Sequence, residues 1–153
     1  MSGYFNLRSA RDCLEDFRRK LAGFKSDNLN VDKATACAEA CWSVVEWAGH
    51  EVLAPTNHRK QLDQFKRDRL VDCPSLAYVR DLTNKRKHRK LDRKFVVKSE
   101  EHHIGDFDPK DYSRDFNISC LIIMTVDGQR FYIDDVFEEC LAFWDRFFHQ
   151  NNL

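Results

Sequence analysis

The chain has 153 residues, with 25 Lys and Arg balanced by 25 Asp and Glu, 42% apolar and 12% aromatic content. That length gives one domain, 1–153, and three Trp with twelve Phe exclude a disordered chain. The longest apolar stretch, Cys120 to Met124, is far too short to cross a bilayer.

The N-terminus, MSGYFNLRSARDCLEDF, lacks the apolar run with basic flanks that marks a secretory signal. A cytoplasmic protein without membrane contact is therefore expected. Cysteines at 13, 37, 41, 73, 120 and 140 are dispersed, mostly within apolar patterns. In a cytosolic chain of this size they read as free buried thiols.

Apolar groups at Leu7, Ala10, Leu14, Phe17, Leu21 and Phe24 recur at alternating spacings of three and four, one stripe of an amphipathic helix over about 5–25. Glu15–Arg19 and Asp16–Lys20 support it weakly at i,i+4. After the loop SDNLN, Asp32 is a plausible N-cap for a helix over 33–53, stopped by Pro55. Its inward stripe is Ala34, Cys37, Cys41, Val44/Val45, Ala48 and Val52, with Trp42 and Trp47 to either side. Small residues on one face let a neighbour approach closely, and the short loop makes the two helices an antiparallel hairpin.

Residues 57–71 form a more polar helix with Leu62, Phe65 and Leu70 to bury. Asp72 or Cys73 then caps a helix over 74–88, with Pro74 in its first turn and Leu76, Val79, Leu82 and Thr83 inward. In the last third the period changes. FNISCLIIMTVDGQRFYI predicts a hairpin over 117–133 with Asp127-Gly128 as a two-residue turn. That register pairs Met124 with Phe131 and Ile122 with Ile133, and Phe95 to Lys98 adds a candidate edge strand. Asp135-x-x-Glu138 has capping-box spacing and opens a helix over 135–149. Its Val136, Phe137, Cys140, Leu141, Trp144, Phe147 and Phe148 are too apolar for a free surface. The expected class is mainly α (α+β), a helical bundle with a small antiparallel hairpin before the last helix.

Zero net charge hides an asymmetry. Arg59 to Lys94 holds thirteen basic and five acidic residues, +8, and the remainder holds twelve and twenty, −8. Segregation of this kind suits a polyanion on one side, or complementary faces meeting inside an oligomer. The densest part, DLTNKRKHRKL, places six basic or imidazole residues in a row, Lys85 to Lys90. On a helical wheel Arg80, Asn84 and His88 form a second stripe beside the apolar one, with Lys87 between them. Arg86 falls in the apolar sector, so either the helix ends near residue 85 or Arg86 reaches past a subunit edge. Imidazole can take a proton from a ribose 2′-hydroxyl near neutral pH, and a guanidinium can clamp a phosphate. His88 as the polar tip of a basic turn is the alternative.

The stretch LAYVRDLTNKRKHRKL, with its Asn84-x-x-Lys87-His88 core, resembles the motif helix of HEPN-type domains, in particular those of small bacterial proteins of similar length. The hairpin and the FEECLAFWDRFF helix resemble those proteins too. The resemblance implies an up-and-down bundle, commonly dimeric through the motif helices. In many such domains it implies a metal-independent ribonuclease of toxin–antitoxin or defence systems, with a protein antitoxin as partner. Others bind nucleotides or act only as interaction modules. Carried over, His88 is the base, Arg80 the phosphate clamp and Asn84 the orienting amide. Lys85, Arg86, Lys87, Arg89 and Lys90 supply backbone grip. Asp81 stands as the polar neighbour expected after the Arg. Seven residues separate Arg80 from His88, more than the family pattern has.

Other arrangements point less sharply. Cys37-x3-Cys41 could bind metal or act as a redox pair, but no second pair stands at a helpful spacing. His102-His103 with Asp106, Asp108 and Asp111 is rich in ligand types, though adjacent strand histidines point opposite ways. No Walker loop, nucleophile elbow or dinucleotide fingerprint is present, and no cofactor or metal is expected. Trp42, Trp47 and Trp144 could stack on a base or belong to the core.

Overall fold

A computed structural model describes residues 7–55, 58–87, 97–103 and 120–153, with 85–87 and 98–103 described through their backbone. The order is α1 (Ala10–Lys25), α2 (Val31–Leu53), α3 (Arg59–Asp72), α4 (Ser75–Lys87), β1 (Val97–His103), β2 (Cys120–Thr125), β3 (Arg130–Tyr132) and α5 (Ile133–Asn151). The protein is mainly helical with one small antiparallel sheet. No helix among the described residues is long and apolar enough to cross a membrane.

α1 starts later than its apolar stripe predicts. Ser9 has extended backbone, and its Oγ accepts from the Asp12 N–H at 3.1 Å, so the cap falls there and Leu7 lies outside the helix. The rest of the stripe, Ala10, Leu14, Phe17, Leu21 and Phe24, is buried together with Cys13. Lys20 meets Asp16 at 2.9 Å as expected, whereas Arg19 also reaches Asp16 and Glu15 pairs with Arg18.

α2 is capped by Asn30, whose Oδ1 accepts from the Lys33 N–H at 3.0 Å. Asp32 is therefore no cap. It sits in the first turn, where a carboxylate favours the helix dipole. The Ala10 N–H donates to Glu51 Oε1 at 2.7 Å, so α1 begins where α2 ends and the pair is antiparallel. Val52, expected to face inward, lies in the last turn of α2 and is 38% exposed.

α5 fills the core. Trp144, Phe137 and Phe148 are among the largest fully buried side chains, and Phe137 sets its ring edge-on to Phe17 and Phe24, with centroids 6.4 and 5.7 Å apart. Full burial of each such ring contributes about 1.5–3 kcal/mol. The helix opens at Ile133 rather than Asp135, and Tyr132 caps it without a side-chain bond. Glu138 thus lies past the first turn, and its carboxylate pairs with Lys25 of α1 instead of closing a capping box.

The sheet has the order β1-β2-β3, with β2 central. Its hairpin is one residue out from the predicted register: Ile122 pairs with Tyr132, Ile123 with Phe131 and Met124 with Arg130. The turn is the cause. The Gly128 N–H returns to the Thr125 carbonyl at 3.0 Å, and the Thr125 N–H donates to the Gln129 carbonyl at 2.8 Å. Gly128 takes φ 87°, so three residues form the loop, a tight turn followed by a left-handed glycine. Ile133 is thereby released from the sheet to begin α5. An edge strand is present as β1, antiparallel to β2. It overlaps the expected Phe95 to Lys98 only at Val97 and Lys98 and runs on to His103, while Phe95 and Val96 lie outside the described residues.

Candidate nucleic-acid interface

The basic stretch begins on α3, which the core holds by little. Phe65 is its one buried side chain, while Leu62 and Leu70 are half-buried. Docking depends on Gly49 of α2: a Cβ there would stand 2.6 Å from Leu62 Cδ1 and 2.9 Å from Phe65 Cδ1. The outer face carries Arg59, Lys60 and Arg67, all exposed. His58 caps this helix without a side-chain bond, and no acidic residue occupies its first turn. Cations at the positive end of a helix cost about 0.3–1 kcal/mol each, so Arg59 and Lys60 do not stand there to stabilise α3.

Other bases of the stretch are used internally. Lys66 pairs with Glu46 of α2 at 2.7 Å. The Arg69 guanidinium lies over Phe65 and Phe147, 4.6 and 4.9 Å from their centroids, and its Nε reaches Asp72 at 3.0 Å. Arg67 donates to Gln64 of its own helix at 2.8 Å, which keeps it on the outer face.

α4 follows directly. Cys73 ends α3, and its carbonyl accepts from the Leu76 N–H at 3.0 Å, so Pro74 stands just before the helix rather than within its first turn. Ser75 donates to Glu139 of α5 at 2.5 Å and fixes the start. Leu76 and Val79 are fully buried, Thr83 nearly so, and Leu82 is half-buried. The helix continues through Lys87, which places Arg86 within it.

Arg80 and Asn84 occupy adjacent turns, both half-buried. The Arg80 Nε donates to Asp81 Oδ1 at 3.3 Å, and its side chain is 17% exposed. Asp81 is wholly buried, and its Oδ2 accepts from the Val97 N–H of β1 at 3.1 Å. The structure thus joins Arg80 to Asp81 and the sheet. His88, Arg89 and Lys90 lie outside the described residues, as do the side chains of Lys85, Arg86 and Lys87.

The sequence named Asp81 only as a neighbour of Arg80. On the wheel it stands opposite Leu76, Val79 and Thr83, so local pattern predicts exposure. It is buried because β1 covers that face from sixteen residues further on.

All six cysteines are buried and free. Cys37 and Cys41, one turn apart on α2, are fully buried and form no disulfide. Burial pushes the Cys13 and Cys37 thiols up to about 12. Among the described residues no group of three or more His, Cys, Asp or Glu side chains is placed to hold a metal ion. The backbones of His102 and His103 pair with Leu121 and Cys120, while Asp106, Asp108 and Asp111 lie outside the described residues. Trp144 is core, and Trp42 and Trp47 pack half-buried against it. No protein-family model, curated protein or solved structure matches the chain.

Proposed function

We infer that this is an HEPN-like protein that engages RNA or another polyanion through the basic side formed by α3 and the end of α4. The observation that carries the reading is the division of labour among the bases. Lys66, Arg69 and Arg80 are tied to carboxylates, while Arg59, Lys60 and Arg67 face solvent. Arg59 and Lys60 stand at a helix start without a side-chain cap, a position that costs stability and suits an anion, which would also meet N–H groups of the first turn there. Binding of this kind is electrostatic and weakens steeply with salt.

The sharper form is metal-independent cleavage of RNA in a homodimer. His88 would take the 2′-hydroxyl proton, Arg80 would hold the scissile phosphate, and Asn84 would orient the imidazole or the ligand. Lys85, Arg86, Lys87, Arg89 and Lys90 would grip the backbone. A second reading, a non-catalytic interaction protein with complementary faces, draws on the ion pairs that already join elements: Arg18 with Asp145 at 2.6 Å, Lys66 with Glu46 and Lys25 with Glu138. Its partner would be a second copy or an acidic protein such as an antitoxin.

Incubation of mixed RNA with the parent and His88→Ala, in chelator and at two salt concentrations, separates these forms. Fragments that vanish in His88→Ala establish the ribonuclease. Salt-sensitive retention without fragments leaves a binding protein. Absence of retention at low salt removes the RNA reading and leaves the interaction protein.

A further inference from the structure

The outer face of α3 carries cations but little that reads a base. Its one aromatic residue, Phe65, is buried against the seam at Gly49, and among the described residues no Phe, Tyr or Trp is exposed. Stacking a base needs an open ring. An adenine edge is read by a side-chain amide, and the amide on this face is already engaged. Gln64 accepts from Arg67 through Oε1 at 2.8 Å and donates through Nε2 to Asp68 at 2.7 Å. Gln61, the other amide of the helix, shares a stripe with Asp68 and Asp72, where like charge repels a phosphate chain. What is left for a ligand is positive charge: Arg59, Lys60 and the remaining N–H groups of Arg67, all exposed. Asp63 stands half-buried one turn from both arginines, and these cations outweigh it.

From residue 59 to residue 67 the cations spread over about 12 Å of helix axis, too far for one phosphate to touch them all. We propose that α3 recognises a phosphate chain alone: linked phosphates bind whatever bases and sugars they carry, and inorganic polyphosphate takes the same place. The inference rests on the polyanion reading above and narrows it. An RNA-specific surface would stack bases or contact the 2′-hydroxyl, and would tell RNA from DNA.

The test is retention by the full chain of equal-length oligo(A), oligo(U), GU-repeat RNA and oligo(dT), at low salt and fixed ionic strength. Displacement by polyphosphate and by orthophosphate, at equal phosphorus, follows. The four strands should agree within about 5-fold, since backbone charge is independent of sequence. One base-specific contact would separate them by roughly tenfold or more. Polyphosphate should displace every strand at concentrations where orthophosphate displaces none. Arg59→Gln/Lys60→Gln should weaken the strands and polyphosphate by one common factor, and Gln64→Ala should leave the ratios among strands unchanged. A wider spread, a ratio shifted by Gln64→Ala or unequal factors in the double variant overturns the inference. So does polyphosphate that displaces no better than orthophosphate. A parent that binds none of these ligands instead removes the polyanion reading itself.

Discussion

α1 and α3 are similar in length, 16 and 14 residues, yet α1 buries six side chains and α3 buries one. α1 lies in a core shared with α2 and α5, where every turn offers an apolar group to a neighbour. α3 rests on α2 through Phe65 and the gap at Gly49, and on α5 through the Arg69 side chain stacked over Phe65 and Phe147. The remainder of α3 is charged surface. The difference teaches that stability and charge are carried by different helices. A strongly apolar frame holds a thin charged layer.

The strongest way to break that contrast is to damage the frame. Phe137→Ala removes a fully buried ring packed edge-on against Phe17 and Phe24 and should cost about 3–5 kcal/mol, read by denaturant unfolding. A loss below about 1 kcal/mol would place the core elsewhere.

Gly49→Ala probes the seam. The new methyl must displace both Leu62 and Phe65, and overpacking of that kind costs about 1–3 kcal/mol. The loss should concentrate in α3, with faster amide exchange there than in α1. Uniform exchange would mean that the two helices are not held differently.

A pH series tests the frame more gently. Cys13 and Cys37 are held protonated up to about 12, against an ordinary value of 9.0, mainly through burial. Above 9.0 an unfolded chain ionises these thiols while the folded one does not. Their contribution is therefore complete below 9.0 and is lost as pH rises toward about 12. Melting temperature should fall across that window, and Cys37→Ala should flatten the fall. An unchanged slope would place the alkaline loss in other groups.

The smallest effect belongs to the surface. Lys66→Ala breaks the pair with Glu46, and an exposed pair of this kind contributes at most about 1 kcal/mol. A larger loss, by the same unfolding assay, would make α3 an ionic element rather than a lightly docked one.

Much of this was legible in the sequence, because each helix is signalled by local periodicity. The stripes of α1 and α5 and the small face of α2 stand where the spacing places them, except for Leu7, which precedes α1, and Val52, which is exposed at the end of α2. Capping was less legible: Ser9 and Asn30 compete with equally eligible neighbours, and side-chain geometry decides between them. The hairpin register turned on whether Val126 belongs to the strand or the loop, which Asp127-Gly128 alone does not settle. Asp81 was hidden because its partner, the Val97 N–H, comes from a strand that no local pattern links to α4. Of the candidate site, Arg80 and Asn84 fall on adjacent turns as the spacing requires, while His88 lies outside the described residues.

The central claim, that α3 presents a phosphate-binding surface, is tested most directly by RNA affinity measured across salt concentration for the parent and the double variant Arg59→Gln/Lys60→Gln. The account predicts a linear fall of log affinity with log salt in the parent. In the variant the slope should be shallower by roughly 1.4, two single-strand phosphate contacts. An identical slope in the two proteins, or no affinity in the parent at low salt, would contradict it.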